Sequence, residues 1–532
     1  MSEFYYRTES ISKEKILDLF VESETENKIL ESFFSQSHII LEGSRGSGKS
    51  FLMKVANTKL LNDFQSLKIL PVYITFMQSS LLHSKYEHQF YFWMLAKILK
   101  ETHKSLQKQG FVISNYANSL IGKNNENQLE EMINKFEETY KNPNIEIENI
   151  ENLPELSDII DAIEDICQNN NISRITYFFD EAAHVFRPEQ QRQFFSLFRD
   201  FKSPYISCKA SVYPGVTHYG DSFEMTHDAF LKRVDRDILS STYLDDMISL
   251  VLKQGGESWE TKINNNKDLF NTLAFASGGN PRILLKTLDL SSNFKQATIN
   301  DVIKKFYRTE IWAEHTQLGD KYKGHKAIID WGRTFIEESV LPATINKIQD
   351  RIDKSINEST LYFWVTKEAP EHIKEALRLL TYTGVIRKYD SGVKGTKSKI
   401  GDRYEIKFGC IISQFQTPTS ISKNIIPNVQ LEMFTEYGRN NSIFNSLKID
   451  EVIKFTEEEF YNSFKNQLEK PVNTLDLTPW ILSKLKEINI TTIGQLLSVS
   501  EDDLMKLRLI GPFKSRLIKN AAIAEVLETI SG

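Results

Sequence analysis

The sequence predicts a three-layer α/β core, a mostly parallel sheet with helices on both faces, followed by smaller modules. Three observations carry this. Short apolar runs at residues 38–41, 67–76, 175–179 and 206–213 alternate with stretches of helical periodicity, as βα units do. A glycine-rich turn, Gly43-Ser44-Arg45-Gly46-Ser47-Gly48-Lys49-Ser50, stands between the first run and the next helix. The third run ends in Asp180-Glu181.

In sequence order, residues 1–35 form a helical lead-in, with Ile16, Leu17, Phe20 and Val21 and then Ile29, Leu30, Phe33 and Phe34 at helical spacing. The core spans 36–240. Pro71 inside the second strand marks an edge or a bulge. An acidic, Asn-rich surface insertion covers about 111–155. Residues 241–310 are helical in pattern and contain Gly278-Gly279-Asn280-Pro281-Arg282. Residues 311–415 end in helix (372–380), strand (385–389), basic loop and strand (404–408), the order of a winged helix. A linker with one helix (449–464) covers 416–472. Short helices fill 473–532, with starts at Thr478-Pro479, Thr491-Thr492 and Ser500 followed by Asp503.

At 532 residues, 40% hydrophobic and 26% charged, the protein is globular and long enough for several domains. No stretch of about 18 apolar residues occurs, so no membrane span is expected. Cys167, Cys208 and Cys410 are far apart and fit no metal spacing or disulfide framework, which suits a reduced cytoplasm. The net charge of −6 excludes a generally basic nucleic-acid coat. Charge is uneven, however. Arg387, Lys388, Lys394, Lys397, Lys399, Arg403 and Lys407 cluster against only Asp390, Asp402 and Glu405.

The glycine turn satisfies G-x-x-x-x-G-K-[ST] in the required strand–turn–helix setting. Backbone N–H groups of Gly43 to Gly48 would face the phosphates of ATP, Lys49 would neutralise the outer ones, and the Ser50 hydroxyl would ligate Mg2+. Asp180 at the end of its strand would hold the hydrated magnesium. Glu181 would polarise the attacking water as general base. The sequence therefore reads as a Mg-dependent ATPase. His184, one turn beyond, reads as a structural histidine.

The P-loop, Asp180-Glu181, the Lys209–Thr217 run with Tyr219-Gly220 and His227-Asp228, and the Gly278–Arg282 motif occur in this order. Together they resemble the AAA+ ATPases related to the origin recognition complex, in particular the bacterial origin-recognition-like branch, over roughly residues 10–415. The resemblance implies an α/β P-loop AAA+ core (parallel sheet, three layers), an α-helical lid and a winged-helix domain. It implies a sensor role near the γ-phosphate for Ser211 and a nucleotide-sensing lid arginine at Arg282. It also implies a homo-oligomer with a trans-acting arginine finger, for which Arg233, Arg236 and Arg199 remain open. Relatives in bacteria are commonly part of antiphage-defence or mobile-element systems, which implies a separate effector protein.

Lys394, Lys397, Lys399 and Arg403 on the wing are placed to meet the phosphates of double-stranded DNA. The C-terminal residues Ile488, Ile490, Ile493, Leu496, Leu497, Leu504, Leu507, Ile510-Gly511-Pro512-Phe513-Lys514 and Leu517-Ile518 resemble a small all-α helix-hairpin-helix domain. The likeness is to the C-terminal domain of the RNA polymerase α subunit. In that likeness Gly511, Lys514 and Arg516 would contact DNA. Leu509 stands where two-glycine hairpins carry their first glycine, which keeps protein binding open. Two functions follow: an ATPase that binds DNA under nucleotide control, or a signalling switch that recruits a protein effector without DNA.

Overall fold

The computed structural model describes residues 4–76, 89–121, 126–138, 153–182, 188–220, 222–447 and 465–531. They form two compact units, residues 1–265 with 279–289 and residues 266–278 with 290–532, so the polypeptide passes between units at 265/266, 278/279 and 289/290.

The first unit opens with α1 (Glu24–Phe34), started by Ser23, whose hydroxyl accepts from the Glu26 N–H. It continues through β1 (Ile39–Glu42), α2 (Lys49–Asn62), β2 (Ile69–Thr75), α3 (Gln89–Gln109), α4 (Leu156–Asn169), β3 (Arg174–Asp180), α5 (Pro188–Asp200), β4 (Ile206–Val212) and β5 (Phe230–Arg233). The strands form one parallel sheet in the order β2-β3-β4-β1-β5. Their apolar residues alternate between two cores. Ile40, Tyr177 and Phe179 pack with Trp93, Leu99, Ile163, Phe194 and Phe198 from α3, α4 and α5. Ile39, Leu41 and Phe178 pack with Phe33, Leu52 and Met53 from α1 and α2. Each fully buried ring or large aliphatic group contributes about 1.5–3 kcal/mol, and two faces of burial explain why these strands read as unbroken apolar runs. The predicted three layers are present. Pro71 lies on an edge strand, where its missing N–H costs no ladder bond.

One early expectation changes. Lys13–Leu19 form turns rather than a helix; Ile16 and Phe20 are nevertheless buried in the core beside α1. Their spacing reflects anchoring of a turn.

Beyond the sheet, α6 (Tyr243–Asn265) is broken at Gly256, whose φ of 61° is left-handed. α7 (Lys267–Ser277) belongs to the second unit, and α8 (Pro281–Leu290) returns to the first.

The second unit continues with α9 (Gln296–Lys305), α10 (Ile311–Lys321), α11 (Lys326–Thr334) and α12 (Leu341–Asp353). Then follow β6 (Tyr362–Thr366), α13 (Glu371–Thr383), β7 (Ile386–Lys394), β8 (Ile400–Ile406) and β9 (Phe434–Tyr437). The predicted helix and two strands are found with other bounds: β7 runs on to Lys394 and β8 begins at Ile400, which shortens the basic loop, and Phe408 opens a short helix instead of closing the second strand. β6 and β9 add to them, giving a four-stranded sheet in the order β7-β8-β6-β9. β6 is buried at every position and so lacks alternation. β9 is four residues within a polar stretch and exists through its parallel pairing with β6.

The C-terminal helices are α14 (Pro479–Glu487), α15 (Ile493–Ser498), α16 (Glu501–Met505) and α17 (Pro512–Ser531). Thr478, Thr492 and Ser500 cap the first three, Thr492 in a full capping box with Gln495. α17 docks on α13: Asn520 accepts from the Glu371 N–H at 3.0 Å and its amide faces the Ala369 carbonyl at 3.4 Å.

The helix expected at 449–464, His184, and residues 122–125 and 139–152 of the insertion lie outside the described residues. Among the described residues no helix is long and apolar enough to cross a membrane. All three cysteines are free and buried.

Candidate functional site

In the first unit, the loops after β1, β3 and β4 leave the sheet at its carboxyl edge, where open α/β sheets place their ligands. The glycine loop turns sharply there. Gly46 and Gly48 take φ of 82° and 104°, a region open to glycine. A Cβ on Gly43 would lie 2.5 Å from Ser47 Oγ. From across the loop, Asn280 Nδ2 donates to the Arg45 carbonyl at 2.8 Å, and Arg236 donates to the Ser47 carbonyl at 3.1 Å. Lys49, first residue of α2, is buried. Its Nζ donates to the carbonyls of Gly43 (2.6 Å) and Ser44 (3.2 Å) and lies 3.9 Å from the Tyr213 ring centre. Burial drives its pKa down to about 7 against the opposing pull of Asp180 and Glu181.

Asp180 ends β3 and is held from three sides. Ser211 Oγ donates to it at 2.7 Å, the Tyr73 hydroxyl at 2.5 Å and the Glu181 N–H at 3.0 Å. The Glu181 N–H also reaches Ser211 Oγ at 2.9 Å. Glu181 itself has a φ of 57°, a left-handed conformation uncommon away from glycine. Burial first, then the negative charges of Asp180 and Glu9, push its carboxyl up to about 7. Glu181 Oε2 and Ser47 Oγ are buried with no hydrogen-bond partner.

The glycine loop and Glu181 edge a cavity of about 370 Å³, lined by residues 45–52, Glu181, Tyr213 and Arg282 among others. Its orphaned polar atoms, buried lysine and glycine-lined wall fit a triphosphate. A magnesium ion would be held by Ser50 and Asp180 with phosphate oxygens completing its shell. Among the described residues no cluster of three or more His, Cys, Asp or Glu could hold a metal without such help.

Sequence reasoning missed the wall made by Tyr5, Tyr6, Arg7, Thr8 and Glu9. Phe4 packs on Trp259 at 4.9 Å, the Tyr5 N–H donates to Gln254 at 2.9 Å, and Arg282 Nε donates to the Tyr6 carbonyl at 3.1 Å. Nothing local in the sequence signals these long-range contacts.

The three finger candidates differ in placement. Arg236 is turned inward, bonded to its own Glu26 and to the Ser47 and Gly279 carbonyls. That geometry ties Arg236 to its own glycine loop. Arg199 binds Asp200 at 2.7 Å and the Ser222 carbonyl at 2.6 Å. Arg233 is 57% exposed at the end of the sheet's edge strand, 3.0 Å from Glu42. Arg236→Ala would leave the buried Glu26 carboxylate unpaired, a loss of about 3–5 kcal/mol. The expected result is a lower urea midpoint for the first unit, with a smaller loss in Glu26→Gln.

In the second unit, the wing candidates also separate. Lys394 is exposed at the end of β7, and Lys399 is 63% exposed and paired with Glu368 at 3.2 Å. Arg403 is 12% exposed and held by the Leu431 carbonyl and Asp390. It does not present its charge outward. The side chain of Lys397 lies outside the described residues. On the hairpin, Gly511 opens onto free space. Lys514 Nζ donates to the Leu509 carbonyl at 3.2 Å and lies over the Trp480 ring. Arg516 is also turned inward, paired with Glu501 and donating to the Glu368 carbonyl at 2.8 Å. Its guanidinium fastens the hairpin to the sheet domain, a role at odds with a phosphate contact.

Comparison with known proteins adds family relationships. Residues 4–227 match the family described as ORC-CDC6-like. Residues 449–516 match the C-terminal domain of the alpha subunit of bacterial RNA polymerase. No curated protein matches this sequence. Among solved structures it is similar to the Aeropyrum pernix ORC1 protein, whose structure was determined in complex with DNA. That likeness is at 11% identity, covers 77% of this protein and 98% of that one, and has a TM-score of 0.34. Over residues 4–227 this protein is therefore similar to the ORC-CDC6-like family, its five-stranded parallel sheet being consistent with an α/β AAA+ core, and over residues 449–516 it is similar to the domain that ends the RNA polymerase alpha subunit.

Proposed function

We propose that this protein is a magnesium-dependent ATPase that binds double-stranded DNA under nucleotide control. The observation that carries the reading is the convergence of the glycine loop, Lys49 and Glu181 on one cavity, with Asp180 and Ser211 hydrogen-bonded to each other and to the Glu181 N–H. Lys49 would leave the Gly43 and Ser44 carbonyls for the outer phosphates, and Arg282 would exchange the Tyr6 carbonyl for the γ-phosphate. Glu181 would take a proton from the attacking water while Ser211 and Asp180 hold its backbone. Arg282 lies on the short stretch 279–289 that belongs to the first unit between two stretches of the second. A change at Arg282 is thus tied covalently to both units.

For DNA, the exposed lysines Lys394 and Lys399 supply sequence-neutral affinity. The Lys399–Glu368 pair is exposed, so phosphate can replace it at little cost. Steady-state ATP hydrolysis with and without duplex tests the whole reading: stimulation by DNA supports it, and failure of any duplex to bind at low salt with ATP overturns it. Replacing both Lys394 and Lys399 by alanine is expected to reduce the salt slope of log K by about 2, measured by fluorescence anisotropy between about 50 and 200 mM salt.

The reading includes a homo-oligomer in the cytoplasm, with Arg233 or Arg199 as the trans finger. It also includes a separate effector protein in a defence or mobile-element system. Both rest on the family resemblance.

A further inference from the structure

We propose that the C-terminal hairpin carries an apolar wedge, Leu509 with Phe513 and Leu517, that enters the duplex and unstacks a base step. The proposal rests on the DNA-binding reading above and names what the hairpin does to the DNA.

Three observations meet at the hairpin. Leu509 takes a φ of 68°, a conformation that L side chains avoid, and exposes 70% of its surface. Both features work against stability: glycine would occupy this backbone without strain, and a polar residue would suit the solvent. A strained, exposed leucine therefore points to a function at that position. Phe513 is 62% exposed, and Leu517, one helical turn further along α17, is 42% exposed. The Lys514 Nζ bond to the Leu509 carbonyl holds the first turn of α17 against the hairpin tip, which is therefore pre-organised.

The charges around the tip select the partner. From residue 500 to 520 the cations Lys506, Arg508, Lys514, Arg516 and Lys519 outnumber the anions Glu501, Asp502 and Asp503. Arg516 is turned inward, while Arg508 and Lys514 are exposed beside the apolar tip. Apolar side chains flanked by cations match a polymer that presents stacked apolar faces between phosphates. Proteins that insert Leu or Phe between base steps kink the duplex in this way. The hairpin is also fixed to its neighbours: Arg439 donates to the Pro512 carbonyl and lies 3.5 Å from both Glu368 and Glu501. The wedge is consequently borne on a rigid mount, as bending DNA requires.

The test uses the full-length protein with ATP at low salt, on duplexes carrying 2-aminopurine and on duplexes end-labelled for energy transfer. The expected result is a several-fold rise in 2-aminopurine emission and a shortened end-to-end distance on binding. Leu509→Gly and Phe513→Ala should keep wing-dependent binding yet lose most of both signals. Leu509→Gly relieves backbone strain, so its Tm should be unchanged or higher, which separates a lost wedge from lost folding. Wild-type protein that binds duplex without altering emission or length overturns the wedge and leaves the tip to a protein partner. So do variants that distort DNA as the wild type does. A wild type that binds no duplex at all overturns the DNA-binding reading itself, and the wedge with it.

Discussion

Lys49→Ala is expected to weaken ATP binding by roughly 100-fold or more, since charge-assisted hydrogen bonds contribute about 1.5–3 kcal/mol each and each 1.4 kcal/mol is about tenfold in Kd. The free protein holds this amine over the carbonyls of Gly43 and Ser44, desolvated and with its pKa near 7. A triphosphate would bring negative charge to within bonding distance and raise that pKa again. ATP binding above pH 7 should therefore take up a proton, with affinity falling as pH rises through about 7. Calorimetry at pH 8 in two buffers of different ionisation enthalpy reads the uptake directly, and Lys49→Ala should abolish it. Stability runs the other way. A lysine whose folded pKa is depressed binds fewer protons folded than unfolded between about 7 and 10.5, so it costs stability at low pH and the cost shrinks as pH rises. The alanine variant should then melt no lower than the wild type at pH 7. Unimpaired ATP affinity in that variant would falsify the assignment of this loop.

The local geometry of the candidate site was legible because it is written in contiguous residues. Gly46 and Gly48 need φ above zero, Lys49 must follow them at the helix start, and Asp180-Glu181 must end an apolar strand. The parts that stayed hidden depend on contacts between distant residues. Glu26 and Arg236 meet across 210 positions, and Arg282 meets the Tyr6 carbonyl across 276. Neither pairing has a local pattern. The same limit applies to the β7–β8 hairpin. Its positive charge was evident in composition, but Arg403 turns inward to the Leu431 carbonyl, 28 positions away, and to Asp390 on the neighbouring strand. Capping residues show the contrast. Thr478, Thr492 and Ser500 act within three residues of themselves, and all three helix starts were found where the sequence put them.

Glu181→Gln is expected to lower kcat for ATP hydrolysis by about 10²–10⁴, the usual contribution of a positioned general base, while leaving ATP affinity near its wild-type value. Glutamine keeps the side chain's shape, and the backbone is secured independently by the N–H bonds to Ser211 and Asp180. What it removes is a carboxyl whose pKa stands near 7 because burial and the charges of Asp180 and Glu9 oppose its ionisation. The wild-type rate should accordingly rise with pH through about 7 and then level, and the variant should lack that limb. Thermal stability offers a second reading that does not involve the reaction. A carboxyl with its folded pKa raised from 4.5 to about 7 contributes stability that is full below about 4.5 and lost as pH climbs through 7. The Tm difference between Glu181→Gln and wild type should therefore move in the variant's favour between pH 5 and pH 8, about the span set by that shift. A rate limb that persists in the variant would assign the titration to another group, and Lys49, whose pKa also lies near 7, would be the first to replace. A missing limb together with the shift in Tm would place the proton acceptor at Glu181, because the two measurements share no other residue.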